Sequence, residues 1–484
     1  MAEHGNLIPV YQEFLADTET PVSVYLRIKD KPFSYLLESA DGGERWGRYS
    51  IIGYDPYLTA LSYNSEMEIL ERSGKKKTIR DVSNPLLVLR DISRRFTPVE
   101  TGQISPFQGG LVGYCNYDVI RKWERLPGVS PEDPDLPEAT FTVSGRLIIF
   151  DHLTHKVRVV AFARIQEYTD LKKAYARACL DIDETISMLR QPAPIPHEDR
   201  FSLMEFQSNF SKEGFGEAVR KAKEYIVSGD VIQVVLSQRF SGLVSGDDFA
   251  LYRNLRSINP SPYMFYLNFG EIRLIGASPE ILIRLTDNRI QLRPIAGTRP
   301  RGDDPESDMA LEKELISDPK ERAEHIMLVD LGRNDVGKVA VHGSVTVPRL
   351  MEVERYSHVM HIVSNVEGLL RPEMDSFDLF MSAFPAGTVS GAPKIRAMEI
   401  ISELEPTPRG PYAGAVGYFG FDGNMDFCIT IRAITVARNR LSVQVGAGIV
   451  ADSSPEGEYE ETMRKAAAML KSIEEVKRND NANR

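Results

Sequence analysis

The chain has 484 residues, 42% hydrophobic and 26% charged, a length beyond which one hydrophobic core stops growing, so two domains or one large layered core are expected. A formal charge of −11 argues against a nucleic-acid partner, which needs a basic face, and no apolar run is long enough to span a bilayer, so no membrane partner is expected either. The amino terminus lacks the basic region, apolar stretch and cleavage site of a secretory signal, and the isolated cysteines Cys115, Cys179 and Cys428 fit neither a disulfide framework nor a zinc site, which together predict a cytoplasmic setting.

Leu147–Val160 alternates as strands do, and Asp170–Leu189 carries a helical pattern. Residues 191–200 hold three prolines at alternate positions, an extended connector that places a boundary between a domain over 1–190 and one over 201–475. Phe215–Ser228 reads as an amphipathic helix stopped by Gly229, followed by a strand over Val231–Phe240. A hairpin is expected from Phe427–Ala437 and Leu441–Val450 around a turn at Asn439, and residues 476–484 as a frayed polar tail. Long period-two strands and a hairpin indicate antiparallel pairing and an α+β fold.

The segment Pro294-Ile295-Ala296-Gly297-Thr298-Arg299-Pro300-Arg301-Gly302 joins a glycine hinge to a hydroxyl and two guanidiniums, a composition suited to holding a carboxylate. Its plainer reading is a turn with positive φ at Gly297 and solvated arginines. After it, Asp318 can cap a helix with Pro319 at its first position and Glu321 closing a capping box, which leaves Glu324 free to be a ligand or a solvated carboxylate. A helix from Pro455 puts Tyr459, Met463, Ala467 and Leu470 on an apolar stripe and Glu458, Glu461 and Lys465 opposite, where Glu461 and Lys465 are either a surface pair or part of a site.

Arg432, placed in the strand Phe427–Ala437, faces a partner strand carrying Gly446-Ala447-Gly448, and Tyr412 adds a hydroxyl; a fork and close backbone approach suit a carboxylate, while a surface cation and a bulge are the plainer readings. Phe384–Lys394 lacks the Gly-Lys-Ser/Thr ending of a phosphate loop, so a nucleotide site is rejected. Alternation puts His361 on one strand face with Val359, Val363 and Asn365, and His358 on the other. Glu280 would read as a strand-end surface residue; as an acid it needs a pKa raised by burial or by a nearby carboxylate, such as Glu324 or Glu461.

Those nine residues at 294–302, with the segments just described, resemble the signature of the chorismate-utilising enzymes over nearly the whole chain. The resemblance implies two orthogonally packed antiparallel β-sheets with outer helices. Related groups place a nucleophilic lysine where Ala296 stands or a basic lysine where Gln233 stands, so the likeness is to the large, aminase subunits of anthranilate synthases, with aminodeoxychorismate synthases and a non-catalytic regulatory paralogue as alternatives. It implies chorismate and ammonia as substrates, Mg2+ on Glu324 and Glu461 with Lys465 balancing charge, and catalysis by His361, Glu280, Gln233 and Thr388. Gly297, Thr298, Tyr412, Arg432, Gly446, Ala447 and Gly448 would bind substrate. The segment Leu36-Leu37-Glu38-Ser39-Ala40 resembles the family's tryptophan-binding motif, so feedback inhibition by tryptophan through Glu38, Ser39, Pro262, Tyr263, Met264, Val416 and Tyr418 is expected. No cysteine sits in a nucleophile elbow, so ammonia from glutamine would come from a partner amidotransferase subunit.

Overall fold

The computed structural model describes residues 5–39, 47–99, 107–127, 136–167, 170–194, 201–356 and 359–482. Ala40, His358, residues 195–200 of the expected connector and the last two residues lie outside them. Two twelve-stranded sheets, antiparallel at every pairing within them, form the frame, with helices packed around them. The first runs Leu7–Leu15, Lys156–Arg164, Arg146–Asp151, Tyr49–Tyr54, Ser34–Glu38, Tyr263–Phe269, Ile272–Ser278, Ala433–Ala437, Arg440–Ile449, Gln233–Ser245 and Ser202–Ser208, with Gly391–Ala392 beside Gln233. The second runs Ile295–Pro300, Val359–Leu369, Arg289–Leu292, Ile281–Thr286, Met425–Ile429, Ala415–Gly420, Gly110–Cys115, Ala139–Val143, Leu58–Tyr63, Glu66–Glu71 and Lys76–Ile79, with Thr346–Arg355 on Val359–Leu369.

Both sheets cross the boundary read from the prolines at 191–200. Ser34–Glu38 pairs with Tyr263–Phe269, Leu37 opposite Phe265, and Gly110–Cys115 pairs with Ala415–Gly420, Gly113 opposite Gly417. The interior follows the same plan. Ile149, Leu267 and Leu274 of the first sheet join Leu111, Phe141 and Phe427 of the second in one buried cluster, and a second cluster lies under helices, with Ala178, Ile182, Tyr252, Leu255, Met469 and Ile473. At about 1.5–3 kcal/mol for each large apolar side chain buried, neither half retains its core without the other.

Three local readings change. The expected strand Phe427–Ala437 is two strands in different sheets, Met425–Ile429 and Ala433–Ala437, with Arg432 between them at φ +50°. Apolar alternation runs through the break, so only the pairing partners reveal it. The helix from Pro455 continues to Ala482, through most of the tail expected to fray. Its buried face is Thr462, Ala466, Met469, Ile473 and Val476, while Met463 and Ala467 face outward. The polar Thr462 takes a core position because its hydroxyl donates to Tyr459 O at 2.7 Å and pairs with Gln238 Nε2 at 2.6 Å.

These shared sheets predict that residues 201–484 expressed alone give no cooperative thermal transition, because strands at 263–269 and 415–420 lose a neighbour each. Co-expression with residues 1–194 should restore one sharp transition by circular dichroism; a stable, cooperative carboxyl-terminal fragment would contradict the shared-sheet account.

Candidate active site

Around the site the chain changes sheet at two corners, Ser278–Ile281 from the first sheet to the second and Ile429–Ala433 from the second back to the first, and these corners are bonded to each other. Ile429 N donates to Glu280 O at 3.0 Å, Ala277 N to Arg432 O at 3.1 Å, and Ser278 Oγ to Ile429 O at 2.7 Å. The crossing sets the Glu280 carboxyl and the Arg432 guanidinium within electrostatic reach of each other. Glu280 is 8% exposed, and burial pushes its pKa up to about 8 against the opposing pull of Thr388 and Arg432. The expected neighbouring carboxylate has no part in this; burial alone raises the value, since Glu324 and Glu461 do not act on Glu280. Thr388 lies close enough to favour the ionised acid, yet its hydroxyl is buried without a regularly formed hydrogen bond. Glu280 and Thr388 border a small, partly open recess with Pro294, Leu328 and Gly387. Arg432 keeps part of its surface open to solvent, while burial among its neighbours lowers its pKa and Glu280 opposes that fall.

His361 lies on Val359–Leu369 with its Nδ1 2.9 Å from Gly297 O and 3.0 Å from Thr298 Oγ1. A carbonyl can only accept, so Nδ1 carries the proton and Nε2 is left with a lone pair. Burial first, and Arg432 after it, hold the ring below its ordinary pKa, hence neutral. Gly297 has the φ of +68° expected of a hinge. The two arginines of that segment are differently employed from the reading above. Arg299 binds Glu314, Asp318 and Glu321 at 3.0, 2.9 and 3.2 Å, and Arg301 binds Asp308 at 2.8 Å, so both pin the following helices. Glu321 thus takes Arg299 instead of closing a capping box, while Asp318 does cap, accepting from Lys320 N at 2.9 Å.

The helix Pro319–Gly337 turns His325 into the core, 2.5 Å from Ser364 Oγ, and Glu324, one residue back, toward the site. Glu324 accepts from Gln233 Nε2 at 3.3 Å, and its pKa is raised by burial, with Glu321 and Glu461 adding to the rise. Glu461 pairs with Lys465 at 2.7 Å, and Lys465 also donates to Gly446 O at 2.9 Å, so the surface pair and the site contact are both present. The glycine strand is close-packed by side chains: a Cβ at Gly446 would meet the Tyr412 hydroxyl at 2.5 Å, and one at Gly448 would meet Gln233 Nε2 at 2.5 Å. Ala447 points into the core and offers only backbone. Lys394, the last residue of the rejected phosphate loop, is buried against Asp335 at 2.7 Å and Ala383 O at 3.0 Å.

Among the described residues no three His, Cys, Asp or Glu side chains converge as a metal cluster. Glu324 and Glu461 are a pair, mutually repelling, and Glu324 is bonded by a neutral amide, with Lys320 as a more distant opposing charge. That donor set fits a hard divalent cation, which takes one or two carboxylates and keeps waters.

A family model described as chorismate binding enzyme matches residues 33–471. The chain belongs to the chorismate-binding enzymes. It is 48% identical over 483 residues to an anthranilate synthase component 1 of Acetivibrio thermocellus, covering 98% of this chain and 97% of that one. It is likewise 48% identical to one of Aquifex aeolicus, at 98% and 96% coverage. The crystal structure of anthranilate synthase component I from Streptococcus pneumoniae matches with a TM-score of 0.78 at 39% identity, covering 87% of this chain and 92% of that one. The menaquinone-specific isochorismate synthase of Escherichia coli shares the fold at 19% identity and a TM-score of 0.72, over 97% of this chain and 95% of that one.

In this chorismate-binding enzyme the residues expected to bind tryptophan lie where the sheets meet. Glu38 accepts from Tyr252 at 2.5 Å, Arg256 at 3.0 Å and Ser50 at 3.3 Å, so protein donors already engage both of its oxygens. Ser39 Oγ is buried and unpaired. Tyr263 donates to Asp426 Oδ1 at 2.8 Å and receives Arg284 Nη2 at 3.0 Å, and Asp426 lies directly across the strand pair from Tyr418. Met264 faces Glu38 across one strand pair, Val416 faces Cys428 across another, and Pro262 leads into Tyr263–Phe269. Sequence reading passed over Arg284 and Asp426; a single charge inside each otherwise apolar strand was the available signal.

The raised pKa of Glu280 has a measurable sign. A carboxyl at about 8 when folded and near 4.5 when unfolded makes the protein lose stability as pH rises through that window. The Tm of the parent relative to Glu280→Gln should therefore fall between pH 5 and pH 8, and level off above. A difference independent of pH would show that Glu280 is ionised at neutrality.

Proposed function

We propose that this chain is the aminase subunit of an anthranilate synthase, converting chorismate and ammonia into anthranilate, pyruvate and water in tryptophan biosynthesis. The observation that carries the reading is a buried, protonated Glu280 beside an accessible Arg432, with neutral Gln233 on Glu324. Ammonia forms its bond to ring C2 as the C4–O bond breaks, and the departing hydroxide takes the Glu280 proton to leave as water. The C2 proton is then removed as the bond from ring C3 to the enolpyruvyl oxygen breaks; the arm leaves as the enolate of pyruvate, which takes up a proton at its methylene carbon, and the ring becomes aromatic. His361, neutral and with Nε2 unprotonated, suits that proton transfer. Arg432 and the Tyr412 hydroxyl hold the carboxylate of the leaving arm, and Thr388 supplies a hydroxyl contact. Bound at Glu324 and Glu461, Mg2+ would neutralise the ring carboxylate that an acidic protein repels.

Gln233 can position ammonia but is too weak a base to activate water, which favours amination over hydration. Ala296 leaves no amine for the covalent route that the lysine-bearing relatives suggest, against aminodeoxychorismate synthesis. Ammonia from glutamine would be supplied by a separate amidotransferase subunit. A cytoplasmic setting belongs to the reading, supported by three free cysteines, and among the described residues no helix is long and apolar enough to cross a membrane.

With chorismate, magnesium and ammonium the protein should produce anthranilate, followed by its fluorescence. Glu324→Gln and Glu461→Gln should each abolish this while leaving Tm within a few degrees, since each keeps its size and neither lies in the core. Loss of folding instead would mark these carboxylates as structural.

Tryptophan feedback is the regulatory part of the proposal, supported by the unpaired Ser39 hydroxyl at the junction of the sheets. Ser39→Phe would fill the space for the amino acid and leave the chorismate site alone. The variant should stay active and need at least about tenfold more tryptophan for half inhibition, a coupling within the usual 1–3 kcal/mol. Inhibition at the parent's tryptophan concentration would place the effector elsewhere.

A further inference from the structure

Arg409 has no part in the chemistry above, yet it touches three walls of the site from behind. Its side chain is 1% exposed and its partner Glu405 is 4% exposed. Nε and Nη2 donate to the two Glu405 oxygens at 2.9 and 2.6 Å. The fork reaches further: Nη1 donates to Val389 O and Nη2 to Val235 O, each at 2.7 Å. Val389 follows Thr388, and Val235 lies two residues beyond Gln233 and opposite Gly448. The guanidinium also sits 4.6 Å from the Tyr117 ring centre and 5.6 Å from that of Tyr412. Glu405 Oε1 in turn accepts from Ser237 N at 2.8 Å and Ser237 Oγ at 2.9 Å, which locks the pair onto the Gln233–Ser245 strand.

A buried ion pair is weak as a source of stability, because desolvation offsets its attraction and an apolar replacement of equal volume often does as well. What an apolar side chain, or a lysine, lacks is a rigid plane with several donors at fixed angles. Two carbonyls, one carboxylate and two aromatic rings are set at fixed distances around a single plane here. Burial pushes the Tyr412 hydroxyl up to about 12, with the charge of Arg409 opposing that rise and that of Glu405 adding to it.

The geometry points to Arg409 as a positioning residue: it fixes the Thr388 wall, the Gln233 strand and the Tyr412 ring relative to one another, and so sets how tightly the carboxylate-bearing arm of the substrate is held. The inference rests on the proposed function. Arg409 therefore acts through Tyr412 and Thr388, and is not itself among the groups that act on Glu280.

The test is steady-state kinetics at saturating ammonium and magnesium on the parent, Arg409→Lys, Tyr412→Phe and the double variant. Arg409→Lys keeps the charge and loses the fork, so KM for chorismate should rise by about tenfold or more, with kcat changed by no more than about threefold. Because the two residues act as a unit, Tyr412→Phe should cost much less in the Arg409→Lys background than in the parent. Unchanged KM with only a lower Tm, or losses that multiply in full, would overturn the inference. If Arg409→Lys does not fold, Glu405→Gln gives the same readout, since it keeps the guanidinium and removes one charge; a smaller rise in KM with the same non-additivity is expected, and none would count against the role. A parent that yields no anthranilate would overturn the proposed function, whereas an active parent with additive losses overturns the positioning role alone.

Discussion

Everything at the site depends on two strand corners that cross. A sheet is continuous only while its strands stay in register, and at Ser278–Ile281 and Ile429–Ala433 the chain leaves one register and enters another. Each corner frees a side chain from both sheets' alternation, and the hydrogen bonds joining the corners fix those side chains against each other. Glu280 and Arg432 are the residues so freed, and Arg432 takes a left-handed backbone conformation to do it. Acid and cation are thereby held by backbone from both sheets instead of by loops, and rigid placement is what a positioned proton donor requires.

The electrostatics follow from that placement. A carboxyl in the seam is out of water, and its neighbours are a single guanidinium and a hydroxyl, too little to compensate ionisation fully; it stays protonated. The other pair of carboxylates, Glu324 and Glu461, is wetter, and Glu324 is hydrogen-bonded by a neutral amide instead of a cation. One chain thus carries a carboxyl suited to give a proton and a pair suited to hold positive charge. A protein of net charge −11 attracts an anionic substrate only through such local arrangements.

Much of this was legible in the sequence, and the failures have a common cause. Helices with caps and stops were readable because their signals are local: Asp318 before Pro319–Gly337, and Gly229 after Lys212–Val227 with φ +84°. The nine residues at 294–302 identified the family, but their arginines were misassigned, since the acids that take them lie on the next two helices. The broken strand at Arg432, the rotated face of the last helix and the lone charges Arg284 and Asp426 all depend on partners distant in sequence. Periodicity reports which faces are apolar. It does not report which sheet a strand joins, or that a threonine finds partners inside.

The account is tested most directly by a crystal structure with magnesium and a non-reactive chorismate analogue. It predicts a cation touching both Glu324 and Glu461, the analogue's side-arm carboxylate on Arg432 and Tyr412, and its hydroxyl toward Glu280. An analogue carboxylate bound by Arg299 or Arg301, or a metal bound away from Glu324 and Glu461, would contradict it.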